Sequence, residues 1–183
     1  LPGSGGIGYG RESKGRFWVQ ATHGAGARAV IEAARKEIGV REVGKNAGKR
    51  VGEYLVYTGI KVPAPYCASF VSWCFGQAGY KEPKTAWSPA LFPDARSGQV
   101  PAKGQVVSPT PLRELRGITP GLVFGIYFPD LKRIAHVGIV EMVLGDYIQT
   151  IEGNTSADGS RQGIGVFRRL RHKRTICKYS NWL

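Results

Sequence analysis

The chain has 183 residues, with 26 Lys and Arg against 13 Asp and Glu for a net charge of +13, and 42% hydrophobic residues that include seven Phe, eight Tyr and four Trp. That length suits one ordinary domain, and that apolar content is enough to bury a core without disulfides or metals, which argues against intrinsic disorder. No run approaches the ~18 apolar residues of a membrane-spanning helix, and the first residues lack the apolar stretch of a signal peptide.

The positive charge favours polyanionic surroundings such as nucleic acid, anionic lipid or the phosphate-bearing polymers of a bacterial wall. It does not choose among them, and it serves equally to keep a protein soluble. The opening stretch, Leu1 to Gly10, is rich in Gly and Ser. It reads as an extraneous leader or the trimmed end of a longer precursor, and residues 1–26 are assigned to an N-terminal tail ahead of a single domain over 27–183.

In "ARAVIEAARKEI", Ala27, Val30, Ile31, Ala34 and Ile38 recur at intervals of three and four, the period of a half-buried helix, and Gly39 supplies its stop. A second helix is expected over Lys49 to Tyr57, with Val51, Tyr54 and Leu55 inward. In "KVPAPYCASFVSWCFGQAGY", Pro63 and Pro65 hold the chain extended, so a third helix can begin only near Tyr66 or Cys67. It should end at Gly79. From Lys81 to Pro120 the chain is dense in Pro, Gly, Ser and Thr, which predicts mainly irregular structure with one short helix near Ala86 to Ala95. A connection this long often carries function.

Beyond it come short β-branched and aromatic runs at Gly121 to Phe128, Ala135 to Val143, Tyr147 to Gly153, Gly163 to Leu170 and Arg174 to Tyr179. Helices first and strands afterwards predict an α+β domain, its N-terminal helices packed on one antiparallel sheet. No internal repeat is visible.

Three cysteines cannot all pair within one chain, and the six residues between Cys67 and Cys74 do not suit zinc. A thiol in the first turn of a helix lies near the positive end of the helix dipole and near unpaired backbone N–H groups, which favour the thiolate. Cys67 occupies that place. Cys74 is two turns further on, roughly 10 Å along the axis, and reads as a packing residue, as does Cys177. Cys67 alone admits the same reading.

A nucleophilic thiolate needs a base within reach, and the base needs an orienting partner. His23 sits in a Gly-rich segment and His172 in the basic run "RRLRHKR", whereas His136 lies in an apolar strand, where a buried imidazole without a partner is costly. Alternation groups it with Gly138 and Val140, and Gly138 leaves room beside it. The next strand ends in "TIEGNT", where Glu152 and Asn154 share a face. A three-residue loop at Leu144, Gly145 and Asp146 would place His136 opposite Asn154 and Gly138 opposite Glu152. Capping of the strand end and shaping of its turn remain the plainer use of Glu152 and Asn154.

The segments "EIGVREVGKNAGKRVGEYL", "PYCASFVSWCFGQAGY", "AHVGIVEMV" and "TIEGNT" together resemble the CHAP family, the cysteine, histidine-dependent amidohydrolases and peptidases of phage lysins and bacterial wall enzymes. The similarity runs from about Ala33 to Phe167. It implies a papain-like fold with the nucleophile Cys67 at a helix N-terminus, His136 as base, Glu152 as the acid that orients it, and Asn154 as a further polar group near the imidazole. The implied reaction is hydrolysis of a peptidoglycan amide through a thioester acyl-enzyme, by an N-acetylmuramoyl-L-alanine amidase or a peptide-crosslink endopeptidase.

Two positions depart from the family pattern. Tyr66 stands where many relatives have Trp, which leaves an aromatic wall expected to meet substrate, and Leu122 stands where an Asp is usual. Some relatives bind calcium near the nucleophile, but no Asp-rich loop here supplies the ligands, so neither a metal nor another cofactor is expected. An NlpC-type peptidase would carry a second His in place of Glu152. The resemblance implies a monomer acting on the cell wall, in the periplasm, secreted, or delivered by a phage or a secretion system. Its expected partners are peptidoglycan and anionic wall polymers; an immunity or inhibitor protein is left open.

Two other classes compete. A catalytically inactive wall-binding module would keep the fold without the chemistry. A nucleic-acid-binding protein would use Arg168, Arg169, Arg171, Lys173 and Arg174, but that run matches no recognition motif and leaves Cys67 and His136 unexplained.

Overall fold

A computed structural model describes residues 24–93, 97–98, 117–156 and 163–183. All but the end of the tail assigned to residues 1–26, His23 included, lies outside the described residues, as does residues 99–116 of the long connection.

Helix α1 (Ala25–Arg35) buries Ala27, Val30, Ile31 and Ala34. It stops a turn before Ile38 because Glu37 and Ile38 donate to the carbonyls three residues back, and Gly39 then takes a positive φ of 98°. Helix α2 (Lys49–Tyr57) buries Val51, Tyr54 and Leu55 as its period predicts. Helix α3 (Cys67–Gln77) begins directly after the two prolines, and every residue from Cys67 through Phe75 is buried. A helix buried all round lies inside the molecule, and its two serines, Ser69 and Ser72, are hydrogen-bonded there.

The short helix expected near Ala86 to Ala95 is a single 3-10 turn, Ser88–Leu91. Ser72 of α3 pins the chain ahead of it, donating from Oγ to the Thr85 carbonyl at 2.9 Å and accepting from the Thr85 N–H at 3.0 Å.

Among the described residues six strands form one antiparallel sheet: β1 (Ser97–Gly98), β2 (Val123–Phe128), β3 (Arg133–Leu144), β4 (Tyr147–Thr155), β5 (Gly165–His172) and β6 (Lys178–Ser180), in the order β1-β6-β2-β3-β4-β5. The helices pack on one face with Val123, Val137, Ile139 and Ile151, while Phe124, Val140, Ile148 and Tyr179 form a smaller cluster on the other. The strand expected over Arg174 to Tyr179 is split into a 3-10 turn at Lys173–Thr175 and β6. Because β6 pairs with β2 and not with β5, the chain must cross the sheet first.

The β3–β4 hairpin corrects the expected loop. Leu144 pairs with Tyr147, so the turn is the two residues Gly145 and Asp146. Such a turn alone would put His136 and Glu152 on opposite faces. A bulge at Glu141 restores the phase, because Met142 pairs with Gln149 but Val140 with Thr150 and Ile139 with Ile151. The extra residue is held firmly: Arg35 of α1, Gln149 of β4 and Arg168 of β5 all donate to the Glu141 carboxylate at 2.6–2.9 Å.

Candidate active site

Cys67 stands at the first position of α3, where among the described residues no side chain caps the helix and the first intrahelical bond is Phe70 N–H to the Tyr66 carbonyl. The backbone N–H groups ahead of it are therefore left for a ligand. Its Sγ lies 3.5 Å from Ser88 Oγ, and only 6% of the residue is exposed.

His136 is buried on β3, opposite Ile126 of β2. Its Nε2–H donates to Glu152 Oε2 at 2.7 Å, which leaves Nδ1 for the thiol. Among the described residues Nδ1 makes no hydrogen bond of normal geometry in this resting arrangement; catalytic hydrogen bonds are often long before substrate arrives. Glu152, wholly buried on β4, also accepts from Thr150 Oγ1 at 2.6 Å and from both Nε (2.8 Å) and Nη2 (2.6 Å) of Arg171 on β5. Gly138 makes this approach possible, since a β-carbon there would sit 2.8 Å from Glu152 Cγ and 2.8 Å from the Phe124 ring. Gly153 lets β4 reach α3 in the same way, a β-carbon there falling 2.7 Å from Phe70.

The ionisation of the three groups is coupled. Burial pushes the Cys67 thiol up, but the hydrogen-bonding reach and charge of His136, helped by Ser88 and the Val137 backbone, bring it below the ordinary thiol value. Burial disfavours the imidazolium, yet Cys67 and Glu152 together raise His136 to about 9. Burial likewise opposes the Glu152 carboxylate, while Arg171 and His136 hold it down to about 2. The arrangement therefore favours thiolate, imidazolium and carboxylate side by side. Cys74 and Cys177 are both raised by burial, Cys74 well above the ordinary value, although Cys177 lies between strands and is only partly buried.

The structure brings Cys67, His136 and Glu152 together but gives the other two expected residues different partners. Asn154 has a φ of 53°, which turns it away from the strand; its Nδ2 donates to Asn46 Oδ1 and its Oδ1 accepts from Gly163 N–H, each at 3.2 Å. Tyr66 has no exposed surface and lies 6.0 Å from the Tyr54 ring, so it is a core residue and not an open wall for substrate. Three contributors escaped the sequence reading. Arg171 sits in a run that reads as solvated, yet its alternation along β5 carries it to Glu152. Thr150 is two residues before Glu152 on the same face. Ser88 is brought to the thiol by tertiary structure alone. Among the described residues no group of three His, Cys, Asp or Glu could hold a metal.

Residues 56–154, more than half of the chain, match the model of the CHAP domain. No curated protein sequence matches the chain. Solved structures that resemble it include the crystal structure of Ly7917, with 14% identity and a TM-score of 0.42 over 84% of this chain and 60% of that one. Another is that of Ly7917 with the hydrolyzing product of MDP, at 14% identity, a TM-score of 0.40 and coverage of 84% and 61%. The chain thus spans about 60% of the length of those proteins.

Proposed function

The chain belongs to the CHAP family, and from that premise we propose that it hydrolyses an amide bond of peptidoglycan with Cys67 as nucleophile, His136 as base and acid, and Glu152 as the group that fixes His136. The observation that carries this reading is the buried imidazole bonded through Nε2 to Glu152, with its other nitrogen left for a thiol at a helix start.

The Cys67 thiolate attacks the amide carbonyl carbon, and the oxygen gains charge beside the unpaired N–H groups of the first turn of α3. His136 gives its proton to the leaving amine as the C–N bond breaks, leaving a thioester on Cys67. Water then attacks the thioester while His136 takes its proton, and the acid product leaves with the thiolate restored. Glu152 stays ionised and holds the imidazole in the tautomer and orientation the two transfers need. Asn154 acts one step away, tying the end of β4 to Asn46 and Gly163. The net charge of +13 attracts anionic wall polymers and raises the local concentration of substrate, an effect that salt weakens.

Mass spectrometry of a defined muropeptide treated with the protein tests the reading and assigns the bond, at the lactyl-alanine junction or in a peptide crosslink. Cleavage by the wild type and none by Cys67→Ala is expected. Cleavage that survives Cys67→Ala removes Cys67 from the mechanism, and binding without cleavage by the wild type makes the chain a wall-binding module.

A further inference from the structure

At the rim of the site an exposed tryptophan and a stacked arginine form a feature that the proposed chemistry does not use. Trp87 is 53% exposed and directly precedes Ser88, whose hydroxyl touches the Cys67 thiol. The Arg133 guanidinium lies over the Trp87 ring, 4.3 Å from its centroid. Arg133 opens β3 three residues before His136, and a bulge that skips Ala135, with Ile126 opposite His136 and Tyr127 opposite Ile134, returns it to the His136 face, so the pair flanks the site from both the thiol side and the imidazole side. Its placement is firm. The Ser72 bonds to Thr85 anchor the chain ahead of Trp87, and Trp87 N–H donates to Thr85 Oγ1 at 3.0 Å.

We propose that Trp87 and Arg133 form a subsite for a carboxylate of the wall peptide, carried on a residue next to the scissile amide; this rests on the hydrolase reading above. Arg133 Nη1 donates to the Ile134 carbonyl at 3.1 Å. No carboxylate pairs with the guanidinium among the described residues. A guanidinium stacked on an aromatic face is held flat with its N–H edge outward, the geometry that takes a carboxylate through two parallel hydrogen bonds. Prior stacking reduces the side-chain freedom lost on binding. Peptidoglycan stems supply the matching group, since their γ-linked glutamate, their diamino acid and their terminal alanine carry carboxylates within a residue or two of hydrolysable amides. Phosphate in wall polymers is not attached to the stem and would not arrive in register with the thiol.

The test compares kcat/KM for two muropeptides that differ only in side carboxylates left free or converted to carboxamides. The wild type is expected to prefer the free carboxylate by about tenfold, the equivalent of one charge-assisted hydrogen bond. Arg133→Gln should bring the ratio to about one, and Arg133→Lys, which keeps charge but loses the fork and the stack, should fall between. Lys173→Gln, near the opposite end of β3, should keep the wild-type ratio and thereby separate local recognition from net charge. Equal cleavage of both substrates by the wild type, or a ratio that survives Arg133→Gln, overturns the subsite while leaving the hydrolase reading in place. Cleavage of neither substrate overturns the hydrolase reading itself.

Discussion

Arg171 grips with two hydrogen bonds, at 2.8 and 2.6 Å, the same Glu152 carboxylate that holds His136 at 2.7 Å. Three neighbouring strands thus deliver arginine, acid and imidazole in a row. A buried carboxylate facing only a neutral imidazole would tend to take up a proton, and Arg171 prevents that. Arg171→Met is therefore expected to lower kcat by about tenfold, ~1.4 kcal/mol of barrier, and to move the acid limb of its pH profile upward, because a Glu152 that protonates more readily stabilises the imidazolium less and so raises the Cys67 thiol. Arg171→Lys should lie between, since it restores charge without the fork. An unshifted acid limb in a folded Arg171→Met protein would make the arginine a packing residue only.

Glu152→Gln should be more damaging. The amide keeps the shape but supplies no charge to the imidazolium, and a loss of at least about a hundredfold in kcat is expected, with circular dichroism unchanged. Asn154→Ala should cost less in chemistry, because its bonds go to Asn46 and Gly163. A wild-type rate for Glu152→Gln would remove the acid from the mechanism.

The pH dependence follows from the lowered thiol and from His136 raised to about 9. Below the thiol transition the nucleophile is protonated and the rate falls. Above about 9 the imidazolium is lost, no proton is ready for the leaving amine, and the rate falls again. The profile of kcat/KM should be a bell whose alkaline limb lies near pH 9 and whose acid limb lies below the ~8.5 of an ordinary cysteine. Both limbs belong to the coupled pair. A rate still climbing beyond pH 10 would contradict a thiolate–imidazolium pair.

Gly138→Ala tests the spacing of the hairpin. Its new β-carbon would meet Glu152 Cγ and Phe124 Cε1 at 2.8 Å and the Ile151 carbonyl at 2.9 Å. A cost of about 1–3 kcal/mol in stability is expected from the overpacking, together with a fall in kcat, measured by thermal unfolding and by turnover. Loss of stability with full turnover would show that Glu152 need not stay where Gly138 admits it.

Much of this architecture can be read from residue order. Pro63 and Pro65 dictate where α3 starts and hence that Cys67 is its first residue, and alternation groups His136 with Gly138 and Glu152 with its strand. The turn length is not legible from the pattern of faces, because a two-residue turn with a bulge at Glu141 reaches the same phase as a three-residue turn without one. Bulges are hard to read locally: besides Gln149, the Glu141 carboxylate is held by Arg35 and Arg168, 106 and 27 residues away. Asn154 went elsewhere for a backbone reason, the positive φ that asparagine tolerates well. Ser88 comes to the site from an irregular segment without periodicity, and Arg171 from a basic run whose residue types mask the strand alternation that turns it to Glu152.

The central claim is that Cys67 is the reactive thiol and that His136 makes it so. Iodoacetamide labelling across pH, read by peptide mass spectrometry in wild type and His136→Ala, measures this directly. Cys67 should be alkylated well below pH 8.5 in the wild type, with that low-pH labelling lost in His136→Ala and with Cys74 and Cys177 slow throughout. Labelling that favours Cys74 or Cys177, or a Cys67 profile that His136→Ala leaves unchanged, would contradict the account.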